Sequence, residues 1–100
     1  MISLSMWKEF GMGNRPSMRD YFADEPYDGI EKVVEYLRKG ESVLSSPGVC
    51  TDAFTGKEVT QKKEILSDGE YTWNSMLPYY VEKYYLRLPK SFERKACAKA

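Results

Sequence analysis

The sequence predicts a small α+β domain in which an antiparallel sheet of three or four strands packs against two main helices. One observation is a turn at Asp68-Gly69 that separates two β-compatible runs, residues 64–66 and 71–73. Another is the spacing of apolar residues at i, i+3, i+4 and i+7 within residues 28–39. The same spacing returns in an aromatic-rich segment that directly follows the hairpin, which indicates the second helix.

The N-terminal segment, residues 1–27, is predicted to be irregular. Gly11, Gly13 and Pro16 interrupt any regular pattern, and Ser17 is a candidate cap for a short helix. The segment nevertheless carries large apolar side chains, namely Met6, Trp7, Phe10, Met18, Tyr21 and Phe22. We expect these side chains to fold back over the core or to contact another chain.

A first helix is predicted over residues 28–39. Asp28 is a candidate N-cap with Glu31 three positions later, an arrangement similar to a capping box. Lys39 complements the helix dipole at the other end, and Gly40 suits the left-handed conformation that stops a helix. The residues predicted to be buried are Ile30, Val33, Val34 and Leu37.

Four β segments are predicted to follow. They are residues 42–46, ended by Pro47-Gly48, then 49–54, the longer 58–66 and finally 71–73. The polar centre of the third, Gln61 to Lys63, favours a strand with one wet face or a place at the sheet edge. Asp68-Gly69 is predicted to form a two-residue type I′ turn.

The second helix is predicted to begin near Asn74 or Ser75, either of which can cap it. Pro78 lies early enough that its missing amide leaves the helix intact, and Pro89 ends the pattern. The buried stripe is Leu77, Tyr80, Val81 and Tyr84. The last residues form either a short helix or a frayed tail over 93–100.

Composition limits the range of functions. The chain has 100 residues, which predicts one domain over 1–100, and its formal net charge is zero. Zero net charge disfavours a general nucleic-acid binder, which needs excess Lys and Arg. Charge is unevenly placed: residues 1–35 carry four basic and seven acidic side chains, and residues 80–100 carry six basic and two acidic ones. This distribution has two interpretations: two solvated faces of opposite charge that offset each other, or an acidic face that attracts a basic partner.

No catalytic, cofactor or metal motif is found in the sequence. Histidine is absent, which removes the commonest general base and the commonest zinc ligand. No phosphate-binding glycine motif occurs, and Cys50 and Cys97 lack metal-binding or redox spacing. We therefore expect a protein that is not an enzyme and has no cofactor or metal. The first ten residues lack a signal-like apolar run, so we expect a cytoplasmic chain with reduced thiols and no membrane segment.

The segment 67–92 reads DG-x-Y-x-W-x-S-x-L-x-YYVEKY-x-L-x-LP-x-x-F from Asp68 onward. This pattern resembles small bacterial proteins in which an aspartate-glycine hairpin leads through a tryptophan into a tyrosine-rich helix. Some of those proteins look like immunity proteins of bacterial toxin systems. The resemblance implies a protein-binding inhibitor and carries no catalytic residue.

The leading hypothesis is thus a cytoplasmic immunity-like or antitoxin-like module that blocks a protein partner, for instance a basic toxin domain. The residues expected to bind that partner are Asp20, Asp24, Glu25, Asp28, Trp7, Tyr79 and Tyr85. One alternative is a nucleic-acid-associated protein that uses the basic C-terminal region, and another is a small enzyme. The sequence also leaves a homodimer open.

Overall fold

A computed structural model describes residues 2–4, 7–8, 15–59 and 63–99. The helices are α1 (Ile30–Arg38), α2 (Leu77–Tyr84) and α3 (Lys90–Lys99), and a short 3₁₀ helix covers Met18–Tyr21. The strands are β1 (Ile2–Ser3), β2 (Glu41–Ser45), β3 (Cys50–Thr51), β4 (Glu58–Val59), β5 (Glu64–Ser67) and β6 (Tyr71–Asn74). The predicted α+β class, with helices packed on a sheet, is confirmed.

The main sheet has the order β1-β6-β5-β2, and β5 runs antiparallel to both of its neighbours. The sheet is mixed because β1 pairs in parallel with β6, which corrects the fully antiparallel prediction. The backbone amide of Leu4 donates to the carbonyl of Thr72 at 2.7 Å in this pairing. β3 and β4 form a separate antiparallel pair. The predicted strand 58–66 is therefore two strands in two sheets, and Gln61 and Lys62 lie outside the described residues.

The β5–β6 hairpin turns at the predicted place but not in the predicted form. Gly69 has a φ of 97°, whereas Asp68 is not among the residues with positive φ, so the turn is not type I′. The carboxylate of Asp68 instead accepts the amides of Glu70 at 2.9 Å and Tyr71 at 2.7 Å. Side-chain hydrogen bonds to the following amides fix this turn, as in other aspartate-led turns.

Helix α1 buries the predicted stripe but begins differently. Its N-cap is Gly29, with a φ of 81° and no side-chain cap, so the predicted Asp28 cap is wrong. A Cβ atom at Gly29 would approach the Sγ of Cys97 to 2.7 Å, so this close contact between α1 and α3 requires glycine. The helix ends at Arg38 with Lys39 as its C-cap, one residue before the predicted end. Gly40 is not among the glycines with positive φ, so the predicted left-handed stop is wrong.

Helix α2 begins after both predicted caps, and each of those two side chains has another task. The Oδ1 of Asn74 accepts the amide of Met76 at 2.8 Å, and the Oγ of Ser75 accepts the amide of Glu64 at 3.1 Å. Pro78 lies in the first turn as predicted. Tyr85 ends the helix in the left-handed conformation, at a φ of 59°.

The core forms where the helices cover β6. The indole Nε1 of Trp73 donates to the carbonyl of Leu37 at 3.1 Å, which fixes α1 against the sheet. The ring of Phe92 on α3 contacts the rings of Tyr36, Tyr71 and Trp73 edge-on. Of the two alternatives for the C-terminal residues, the structure has the helix.

Candidate protein-binding groove

A groove of about 500 Å³ lies between α1 and α2. Its apolar lining includes Ile30 and Val34, which extend the buried stripe of α1, together with Pro26 and Tyr85. Charged residues of both helices also line the cavity, namely Glu31, Glu35 and Arg38 of α1 and Glu82 of α2. We call this cavity the α1–α2 groove.

The charges around the α1–α2 groove are mostly paired. Arg38 of α1 contacts Glu82 of α2 at 2.9 Å, and Lys39 contacts Glu35 at 2.8 Å. These ion pairs are exposed and stabilise the fold little, but they cancel the positive charges of the rim. Among the described lining residues, Glu31 is left as the charge without a salt-bridge partner.

Tyr85 links the groove to the acidic N-terminal third. Its carbonyl accepts the amide of Ala23 at 3.0 Å, and the carbonyl of Leu86 accepts the hydroxyl of Tyr27 at 2.7 Å. These bonds hold residues 23–27 against the end of α2. Pro26, inside that stretch, therefore reaches the groove.

The structure places the four predicted aspartate and glutamate residues on the surface. Asp20, Asp24, Glu25 and Asp28 are all exposed, and Glu31 is exposed as well. No basic residue interrupts residues 20–31, and among the described residues none of these carboxylates takes part in a salt bridge. We call residues 20–31 the acidic segment; its role in binding stays a prediction.

Two of the predicted aromatic contacts point inward. Trp7 retains 9% of its surface, and its indole Nε1 donates to the carbonyl of Leu4 at 2.8 Å. Tyr79 is half-buried, and its hydroxyl donates to Asp52 at 2.6 Å. The structure thus uses both residues for folding contacts, and only Tyr85 among the three predicted aromatics lines the α1–α2 groove.

A buried carboxylate that the sequence analysis did not single out organises the other side of α2. Asp52 is fully buried, and its Oδ2 accepts the hydroxyls of Tyr79 at 2.6 Å and Tyr84 at 2.7 Å. Its Oδ1 accepts the amides of Phe54 at 2.7 Å and Thr55 at 3.2 Å. The only signal in the sequence was an acidic residue at the start of a turn.

The hydrogen bonds decide the charge state of Asp52. Burial alone would raise the pKa of this carboxyl, but the bonds from two tyrosines and two amides outweigh burial and lower the pKa from 3.8 to about 2. The Nζ of Lys83 lies 3.7 Å away and adds positive charge. A carboxylate so fully occupied is a structural anchor rather than a proton-transfer group.

The basic C-terminal region has less free charge than its composition suggests. Lys83 lies beside Asp52, Arg87 pairs with Glu93 at 2.9 Å, and Lys95 contacts Asp68 at 3.0 Å and Glu70 at 2.8 Å. Three of the six basic residues that would serve a nucleic-acid function are therefore compensated. Since such binding depends on free positive charge, this pairing weakens the nucleic-acid alternative.

A separate apolar area lies at the other edge of the sheet. Val43 is 55% exposed and Leu44 62% exposed on the edge strand β2, and Val49 beyond it is 63% exposed. The register with β5 is irregular between Ser42 and Leu44. Irregularity of this kind is one way in which sheets discourage further strand pairing.

Within the described ranges, no group of three or more histidine, cysteine, aspartate or glutamate residues is placed to hold a metal ion. Both cysteines are free thiols; Cys50 is buried and Cys97 is half-buried. None of the helices in the described part of the chain has the length and apolar character needed to span a bilayer.

Comparison with protein-family models, curated proteins and solved structures finds no match to this chain.

Proposed function

We propose that this protein is a binding module for a protein partner. A segment of that partner binds in the α1–α2 groove through an apolar part and a positively charged part. The observation that carries the proposal is the groove itself, a cavity of about 500 Å³ with an apolar lining. At its border lies Glu31, a carboxylate that forms no salt bridge within the described part of the chain. Protein interfaces commonly combine an apolar centre with a charged rim. A partner side chain with an apolar stem and a positive end satisfies both parts.

The acidic segment is the reason to expect a positively charged partner. Its exposed carboxylates lie on the stretch of chain that leads into the groove through Pro26 and Ile30. A surface of one charge sign raises the association rate of an oppositely charged partner and disfavours like-charged ones. We therefore assign this segment mainly to encounter and the apolar lining of the groove mainly to retention.

Residues 67–92 resemble small bacterial proteins, some of which look like immunity proteins, and this resemblance supports a more specific form of the proposal. In that form the partner is a basic toxin domain, and the protein inhibits it in the cytoplasm by covering its surface. Three of the basic residues available for a nucleic-acid role are already engaged within the fold, which also favours a protein partner.

The experiment is native co-purification with three tagged forms of the protein. The groove variant carries Glu25→Lys and Glu31→Lys, and the control carries Glu41→Lys and Glu58→Lys, which make the same charge change at exposed positions on β2 and β4. We expect one basic protein in stoichiometric amount with the wild type and the control, and its loss from the groove variant.

Calorimetry on the purified pair then establishes that the contact is direct. Retention of the partner by the groove variant, or equal loss from both variants, would contradict the proposed groove. Recovery of the protein alone from all three preparations would contradict protein binding itself. Matching melting temperatures for the three forms would show that the changes act on binding rather than on folding.

A further inference from the structure

We infer that a second cavity, beside β1, binds a small organic anion in which a phosphate or carboxylate is attached to a flat apolar body. The cavity has a volume of about 440 Å³, which lies within the ordinary range of small-molecule sites. Among the described residues, it shares no lining residue with the α1–α2 groove. The inference therefore goes beyond the proposed function and does not depend on it.

The lining of this cavity is apolar and held in place by the backbone. Leu4 and Leu88 are buried at 4% and 5% exposure, whereas Ile2 is 53% exposed and leaves apolar surface open. The amides of Ile2 and Leu4 donate to the carbonyls of Glu70 at 2.9 Å and Thr72 at 2.7 Å. These bonds fix the β1 side of the cavity before any ligand binds, so little ordering is needed on binding.

One side of the cavity offers an aromatic ring. Tyr21 is 46% exposed, and its ring lies edge-on to the ring of Trp7 with 5.2 Å between centroids. The carbonyl of Tyr21 accepts the amide of Arg87 at 2.9 Å, which holds the 3₁₀ helix against residues 85–87. An exposed and positioned ring of this kind favours a flat apolar group, which can pack against it.

The charges around the cavity are all positive among its described lining residues. Arg15, Arg87 and Lys90 contribute, and no carboxylate does. Arg87 is compensated, because its Nε and Nη2 contact Glu93 at 3.1 and 2.9 Å. Arg15 and Lys90 have no salt-bridge partner in the described part of the chain.

Two cations that have no salt-bridge partner among the described residues lie beside an apolar cavity, and together they define the ligand. An anionic group gains charge-assisted hydrogen bonds from Arg15 and Lys90, while an apolar body fills the space between Ile2 and Tyr21. A nucleic-acid strand would instead need a continuous basic track. Because Lys83 and Lys95 are engaged elsewhere, the described C-terminal residues provide no such track.

The test is isothermal titration of the full chain with four probes. Adenosine monophosphate and 2-naphthoate each join an anion to a flat body and distinguish a phosphate ligand from a carboxylate ligand. Adenosine provides the flat body alone, and inorganic phosphate provides the anion alone. We expect at least one joined probe to bind about tenfold more tightly than adenosine or inorganic phosphate, which corresponds to one additional charge-assisted hydrogen bond.

A matched pair of double variants localises the binding. Arg15→Ala with Lys90→Ala should weaken the joined probe by about tenfold or more, since it removes the two cations proposed to bind the anionic group. Lys32→Ala with Lys57→Ala makes the same charge change at exposed positions outside the cavity and should leave affinity within about twofold. Tyr21→Ala should also weaken the joined probe.

Two results would overturn the inference. One is that neither joined probe binds more tightly than adenosine and phosphate. The other is that both double variants lose affinity equally, which would show a general effect of net charge. Melting temperatures measured on every variant separate loss of the site from loss of the fold.

Discussion

The hydroxyl of Tyr84 on α2 donates a hydrogen bond of 2.7 Å to the buried carboxylate of Asp52, which lies 32 positions earlier in the chain. Tyr79 donates to the same oxygen at 2.6 Å from the preceding turn of the helix. Together the two tyrosines hold the segment between β3 and β4 against α2. One carboxylate thus couples the small two-stranded sheet to the helix that forms one side of the α1–α2 groove.

Asp52→Asn should destabilise the protein by about 2–4 kcal/mol, because the NH2 group of an amide cannot accept hydrogen bonds, so that either the two tyrosine hydroxyls or the two backbone amides lose their acceptor. Urea unfolding followed by circular dichroism measures the change. The control is Asp24→Asn, an exposed aspartate in the acidic segment, which should change stability by about 0.5 kcal/mol or less. Equal effects of the two substitutions would contradict the anchoring role of Asp52.

The depressed pKa of Asp52 also predicts an acid transition. A carboxyl with a lower pKa in the folded state contributes stability that is complete above its unfolded value of 3.8 and is lost as the pH falls toward about 2. We expect roughly 2 kcal/mol of the free energy of unfolding to disappear over this interval. The pKa of Asp68 is lowered in the same direction, by the Tyr36 hydroxyl and two backbone amides that outweigh its burial.

Asp52→Asn should therefore flatten the dependence of stability on pH below 4 without abolishing it, because Asp68 still contributes. Urea titrations at a series of pH values provide the measurement. If the stability of the variant falls with acid as steeply as that of the wild type, Asp52 does not contribute the expected part of the pH dependence of the free energy of unfolding.

Gly40 is predicted to be intolerant of any side chain. A Cβ atom there would lie 2.6 Å from Cζ2 of Trp73 and 3.0 Å from Cβ of Leu66. Since Trp73 is buried and its indole is bound to Leu37, it has little room to move. We expect Gly40→Ala to lower the free energy of unfolding by about 1–3 kcal/mol. It should also change the near-ultraviolet circular dichroism of the tryptophans.

Gly56→Ala is the control for that substitution. Gly56 has a positive φ of 74° but no atom within 4 Å of the added Cβ, so only backbone strain applies. That strain should cost about 1 kcal/mol and leave the tryptophan environment unchanged. An unchanged spectrum for Gly40→Ala as well would argue against the close packing of Trp73 on the end of α1.

The features predicted correctly from the sequence are those that depend on residues close together in the chain. The buried stripe of α1 and the early proline of α2 follow from residue spacing within short windows. The strand order does not: the segment that contains β5 was a candidate for the sheet edge, whereas β5 lies between β6 and β2. The predicted cap at Asp28 was wrong: Gly29 is the N-cap, and it lies against Cys97 of α3, a partner 68 positions later that no short window reveals.

The features that were missed depend on long-range partners. β1 is two residues long, and its parallel pairing with β6 leaves no periodic signal. Asp52 could not be recognised as an anchor because its tyrosine partners lie 27 and 32 positions later. Tyr85 and the acidic residues were predicted from the sequence as partner-binding residues, which stays a prediction. The groove that Tyr85 lines could not be predicted, because it exists only once α1 and α2 pack together.

The most direct test of the proposed function is the association rate of the co-purified partner as a function of salt. The variant carries Asp24→Lys, Glu25→Lys and Asp28→Lys, three exposed carboxylates of the acidic segment. We predict that the wild-type rate falls steeply as salt is raised, and that the variant associates slowly with little dependence on salt. A variant that associates as fast as the wild type, with the same salt dependence, would contradict the role of the acidic segment in attracting a basic partner.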